Sequence, residues 1–288
     1  MNRKTGQWLT WIVKTGICIV ALILILFLLL MTPGQSYERR NRVECAARLR
    51  QIGQAMALYD NNHRCWPRTR YDPAKPLGDG FTGGGSADPF AVDGPSANDP
   101  TAAMFLLVKR IDLNQEVFVC PSSNQEKDAF VVGNVAYTAR ERSNFTRQTN
   151  LSYSFANMYP DTAAVGRGYK WDPKVPATFV IAADRNDGDT TTTLWLTSNS
   201  PTNATRVMNS RVMNSRNHEQ DGQNMLYADG HVDWSETPWA GIKKDNIYTS
   251  AKVDAAGNQL SPAASAPPWP APQGPTDTVL VPRKGNGF

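Results

Sequence analysis

The chain is poor in several things that would have assigned it to a large functional class. It carries no concentrated charge: the net balance is +4 over 288 residues, with Lys and Arg dispersed. A basic stripe is therefore missing, which excludes a dedicated nucleic-acid binder. Cysteine is scarce. Of the four, Cys18 lies in an apolar run, so Cys45, Cys65 and Cys120 are left to form one disulfide from two of them. The sequence favours none of the three pairings, and buried reduced thiols remain open beside them. No Gly-x-Ser-x-Gly, His-Glu-x-x-His or P-loop pattern occurs, which sets aside phosphate and dinucleotide chemistry. Gly83-Gly84-Gly85 has neither a strand before it nor a helix after it and reads as linker. Turn formers, by contrast, are plentiful. Twenty prolines and 21 glycines among clusters of Asn, Asp, Ser and Thr indicate a loop-rich body, not a helical bundle.

Charge is also missing from Thr15 to Met31, an apolar run of about 17 residues, the lower limit for a spanning helix. Trp8 to Val13 extend it if Lys14 snorkels, so a membrane anchor through Thr15, Leu22 and Leu30 is expected. A cleaved signal needs a shorter apolar core and a small-residue cleavage site, whereas Met-Thr-Pro-Gly follows Leu30 here. Arg3 and Lys4 precede the run and Arg39, Arg40 and Arg42 follow it, so charge alone does not orient it.

Three regions follow from composition: residues 1–34 as N-terminus and anchor, 35–250 as the body, and 251–288 as a Pro- and Ala-rich tail. Within the body, residues 35–62 form an amphipathic helix, with Val43, Ala46, Leu49, Ile52, Met56 and Tyr59 at three- and four-residue steps. Residues 67–100 read as an extended surface loop. Residues 101–250 hold a helix and an antiparallel sheet. Asp99-Pro100 opens the helix. Strands are expected at 116–120, 151–156 and 177–183, and the run 278–282 could supply an edge strand. The repeat RVMNS-RVMNS at 206–215 reads as a loop duplication. In 223–234, QNMLYADGHVDW, Asp229-Gly230 predicts a two-residue type I′ turn that pairs Tyr227 with Val232 and Met225 with Trp234.

The apolar helix, NRVECAARLRQIGQAMALYDNN, FVCPSS, LSYSFAN, NHEQDGQNMLYADGHVDW and DNIYT together resemble the pseudopilin-like proteins of planctomycetes. Their C-terminal part carries a prepilin-type processing-associated domain, marked by a His followed nine residues later by Asp-Gly. The resemblance spans most of residues 9–250. It implies an α+β, pilin-like fold of the type II secretion or type IV pilin kind, with a long N-terminal helix, transmembrane in one half and amphipathic in the other, packed on a small antiparallel sheet. It also implies a single pass through the bacterial inner membrane, the N-terminus inside and the body periplasmic, and as partners the lipid bilayer, other pilin-like subunits or secretion components. The chain departs from the pattern in two places. Ten residues, 219–228, separate His218 from Asp229. Gly6 is followed by Gln7, and Trp11 stands where the family has the Glu that neutralises a neighbouring subunit's amine.

Two clusters invite chemistry. His218, Asp229, Gly230 and His231 carry the motif, and with Asp233 they could bind zinc or activate water. Against this, Asp229 is explained by the turn, and His231 and Asp233 alternate on a face that solvent can cover. Asp184, Asn186, Asp187 and Asp189 alternate oxygen ligands as calcium loops do, but Trp195 occupies the closing Glu position of an EF-hand. Calcium binding in a C-terminal loop is what the resemblance adds to that reading, and a plain turn is the other. The expectation is a non-catalytic structural or assembly protein with no obligatory cofactor. The alternatives are a stalk-tethered periplasmic module binding calcium or a polymer, and a tethered metal-dependent hydrolase.

Overall fold

The computed structural model describes residues 3–30, 33–75, 77, 81–186, 213–242, 245–253, 259–262, 272 and 274–281. Two units are separable, Met1–Arg40 and Asn41–Phe288. At the N-terminus lie α1 (Arg3–Leu30) and α2 (Pro33–His63). The expected single long helix with a membrane-spanning half is corrected by this arrangement. There are two helices, and among the described residues no helix is long and apolar enough to cross a membrane. A pilin-like fold built on such a helix, and the single-pass inner-membrane placement that went with it, are therefore not supported. Of the expected anchor residues, Thr15 turns its hydroxyl back to the carbonyls of Trp11 and Ile12, Leu22 is exposed, and Leu30 is the last residue of α1.

The apolar stripe read in α2 faces a core from Leu49 onward: Leu49, Ile52, Met56 and Tyr59 are buried and Ala46 is half-buried, but Val43 is 72% exposed, and Cys45, outside the stripe, is buried in its place; Arg50, Gln51 and Leu58 on the other side are exposed. Helix α3 (Pro100–Ile111) begins where Asp99 predicts, its carboxylate accepting the Ala102 amide, and ends at Asp112 in the left-handed conformation. Every residue from Thr101 to Val108 is buried, so α3 is a core helix and its long apolar run is explained. The expected strand 116–120 is instead a 3₁₀ turn, Gln115–Phe118, capped by the Asn114 side chain. Short apolar runs do not distinguish the two states by pattern, and the cap decided between them.

A small hairpin, β1 (Val131–Val132) and β2 (Val135–Ala136), precedes β3 (Tyr153–Ala156), the short helix α4 (Thr162–Gly166) and β4 (Val180–Asp184). Then come β5 (Gln223–Tyr227), β6 (Val232–Ser235), β7 (Trp239–Ala240), β8 (Asp245–Asn246), β9 (Ala251–Val253), β10 (Gln259–Pro262) and β11 (Leu280–Val281). The main sheet has the order β11-β3-β4-β5-β6 and is antiparallel throughout. All residues of β3 and β4 are buried, so the sheet is covered on both faces, which is why β4 reads as a continuous apolar run. Helix α2 lies close to the sheet at Gly53, where a Cβ would stand 3.0 Å from the Leu226 side chain of β5. The region expected as a tail contributes β11 to the edge of the sheet beside β3.

Residues 67–100 do not simply cover the surface. Asp99, 1% exposed, accepts from the Thr82 amide (2.7 Å) and hydroxyl (2.6 Å), the Thr101 hydroxyl (2.8 Å), the Ala102 amide (3.0 Å) and the Asn144 side chain (3.1 Å). One carboxylate thus caps α3 and ties the segment down. Asp99→Ala removes the cap and strands buried donors, and we expect it to cost about 3 kcal/mol in chemical unfolding. Asp99→Asn should lose less, and equal stability of Asp99→Ala and the parent would contradict the role given to Asp99.

Candidate functional site

The hairpin read from Asp229-Gly230 is present but in another register. Leu226 pairs with Val232 and Met225 with Asp233. The Gly230 amide donates to the Tyr227 carbonyl and the Tyr227 amide to the His231 carbonyl, with only Gly230 at positive φ (+89°). This is a three-residue loop closed by a glycine bulge, not the two-residue type I′ turn. A slip of one residue exchanges faces. Leu226 and Val232 are buried as a pair, and Asp233 is exposed.

Of the motif residues, Asp229 and His231 lie at this exposed tip. The Asp229 carboxylate accepts from the His231 amide (3.1 Å) and pairs with Nδ1 of His231. The imidazole stacks on Tyr227 at 4.2 Å, and its Nε2 stands 3.7 Å from Asp233. They border an open cleft of about 380 Å³ lined also by Thr178, Trp234 and Trp239. His218 does not join them.

It is buried with three residues that the sequence had placed in other roles. Cys45 projects from α2. Cys120 follows the 3₁₀ turn, and its amide is held by the Ser152 hydroxyl. Asp184 ends β4, opposite Tyr153 in the ladder. His218 closes the 3₁₀ turn Arg216–His218, which Ser215 caps while donating its hydroxyl to the Arg185 carbonyl (2.7 Å). All four are 0% exposed, and their donor atoms lie within 4.8 Å of one another. The Cys45 thiol donates to Oδ1 of Asp184 (3.0 Å), Nε2 of His218 stands 3.3 Å from Oδ2, and Sγ of Cys120 is 3.5 Å from Nε2. Asp184 further accepts from the Asn224 amide (2.7 Å) and the Asn217 side chain (3.1 Å). Tyr153 places its hydroxyl 3.2 Å from the Cys45 sulfur. Trp234 closes one side, its ring edge-on to His218 at 5.4 Å and beneath the Arg42 guanidinium at 4.2 Å.

Electrostatically the cluster is an ion pair with two thiols. Burial works against charge on His218, but the adjacent Asp184 carboxylate overrides it and pushes its pKa up to about 11. Burial likewise would raise Asp184, yet His218 and the donors around it hold it below the ordinary carboxylate value. Cys45 is pushed well up by burial, then by Cys120 and Asp184. For Cys120 the burial effect is outweighed by bonds from Cys45 and His218, which lower it. Among the described residues this is the one group of three or more His, Cys, Asp or Glu able to hold a metal.

Asp184 is thus committed to the interior, and Asn186 donates to the Met213 carbonyl (2.7 Å). Asp187 and Asp189, and most of the repeat, lie outside the described residues, so the calcium reading retains only these two positions. Cys45, Cys65, Cys120 and Cys18 are free thiols, Cys65 and Cys18 exposed. The sequence named every member of the buried cluster but gave no signal that joined them, because the four come from segments far apart in the chain. Comparison with protein-family models, with curated proteins and with solved structures found no match.

At the hairpin tip, bonds from the His231 amide and ring hold the Asp229 carboxyl below its ordinary pKa. Its contribution to the turn is therefore present above the unfolded-state carboxylate pKa and lost as pH falls through the lower folded value. A carbon-13 NMR titration of Asp229 should show that depressed midpoint, and a midpoint at or above the ordinary value would contradict it.

Proposed function

We propose that the chain is a non-catalytic, pseudopilin-like structural or assembly subunit whose partners include copies of itself. The observation that carries this reading is the surface of α1. Leu22, Ile23, Leu24, Ile25 and Leu26 are consecutive and each is more than half exposed. Residues in a helix follow one another by about 100°, so these five point to every side. An amphipathic helix would bury one stripe and show water the other; a helix apolar all round needs apolar neighbours all round. Side-by-side packing of α1 from several copies supplies them, and it fits the resemblance of the sequence to pseudopilins. The interior is consistent with the same reading, since the buried Cys45–Cys120–Asp184–His218 cluster is closed to a substrate.

The test is sedimentation velocity of the full chain without detergent at micromolar concentration. Multimers are expected, and Leu22→Glu with Leu26→Glu should yield monomers whose body unfolds as before. A full chain that sediments as a monomer would overturn the assembly role.

One observation favours a second reading, a binding module for a polymeric ligand. The cleft beside the hairpin is lined by Tyr227, Trp234 and Trp239 together with Asp233, a combination of aromatic rings and a carboxylate that suits sugar rings. Soluble polysaccharide should then quench tryptophan fluorescence of the parent, and Trp239→Ala should weaken binding about tenfold. No quenching, or equal affinity for the variant, would remove this reading.

A further inference from the structure

We propose that Cys45, Cys120, Asp184 and His218 form a structural zinc site that fastens α2 to the sheet. Four donors from four separated segments converge: α2, the chain after the 3₁₀ turn, the end of β4, and the turn Arg216–His218. Their measured separations are 3.0 Å (Cys45 to Asp184), 3.3 Å (His218 to Asp184) and 3.5 Å (Cys120 to His218). A tetrahedron with zinc–ligand bonds of 2.0–2.3 Å has edges of about 3.3–3.8 Å. Of these three separations only Cys45–Asp184, now bridged by a thiol proton, must lengthen, and Cys45 and His218 approach different oxygens of the carboxylate, Oδ1 and Oδ2.

The donor set selects the ion. Two sulfurs, one imidazole and one carboxylate suit a borderline-soft tetrahedral cation and not calcium or magnesium, which take oxygen alone. Coordination forms two Zn–S bonds, one Zn–N and one Zn–O, and any protons on the thiols and on Nε2 of His218 leave to solvent. Three of the four donors are already oriented by neighbouring groups. Asn224 and Asn217 hold the carboxylate, Tyr153 stands at the Cys45 sulfur, and Trp234 fixes the plane of the imidazole. Such outer partners are what metal ligands require. With four protein ligands and none exposed, no position is open to water, so the site is structural and not hydrolytic.

The experiment is metal analysis of the full chain purified without chelator, followed by removal of the ion and titration with Co²⁺. The expected result is one zinc per chain, intense visible bands of tetrahedral cobalt with a thiolate charge-transfer band, and a loss of zinc of at least tenfold in Cys120→Ser. Cys65→Ser, at an exposed thiol, should keep its zinc. The cobalt spectrum of the parent keeps the test decisive if Cys120→Ser does not fold. Absence of stoichiometric zinc, cobalt bands without thiolate charge transfer, or a Cys45–Cys120 disulfide in the purified protein would overturn the proposal.

Discussion

A carboxylate with no access to water stands where β4 ends, and the body is arranged to make that tolerable. An unpaired charge at the position of Asp184 would cost several kcal/mol. Five groups answer it: the imidazole of His218, the thiol of Cys45, the Asn224 amide and the side chains of Asn217 and Asn224. They come from three stretches of chain: α2, the turn Arg216–His218 and β5. Placing them forces α2 against the sheet, brings the turn Arg216–His218 over the end of β4, and draws in Ser152 and Cys120, joined by the hydrogen bond from the Cys120 amide to the Ser152 hydroxyl. Tyr248 adds its hydroxyl to the Asp184 carbonyl at 2.6 Å. Phe105, Phe118, Phe145 and Phe155 pack in edge-on and tilted pairs in the core, but aromatic packing alone does not require those four segments to meet at one point.

Function separates from this interior. A cluster that could have served catalysis is closed by Trp234 and Arg42, so it acts on the fold. What the molecule offers outward is an apolar helix at one end of the chain and, on the body, an aromatic cleft with a His–Asp pair at its rim. Association and recognition are the roles proposed for those features. A metal at Asp184 would add rigidity to that body by cross-linking residues as distant as Cys45 and His218, in the manner of a disulfide but with four arms.

How much of this could be read beforehand depended on the range of the interactions. Local signals were legible: the Asp99 cap, the stripe from Leu49 to Tyr59 though not Val43, which is exposed, the apolar run of β4 and the presence of a turn at Asp229-Gly230. Where two local solutions compete, the reading failed. Gln115 to Phe118 took the 3₁₀ conformation because Asn114 caps it, and the hairpin chose a bulged three-residue loop, which turned Leu226 inward in place of Tyr227. The apolar N-terminus misled more, since hydropathy set an expectation of a span that no described helix meets. The cluster was the least legible. Cys45 and Cys120 figured as disulfide candidates, Asp184 as a calcium ligand and His218 as a motif residue. Only tertiary contact makes them one site, and no periodicity encodes a meeting of residues 45, 120, 184 and 218.

Anomalous diffraction from crystals of the untreated protein, recorded just above and just below the zinc absorption edge, bears most directly on the centre at Asp184. A single peak bonded to Cys45 Sγ, Cys120 Sγ, an Asp184 oxygen and His218 Nε2, present above the edge and gone below it, is the expected result. A map without that peak, with the Cys45 thiol still donating directly to Asp184, would contradict the metal centre and leave a hydrogen-bonded ion pair in its place.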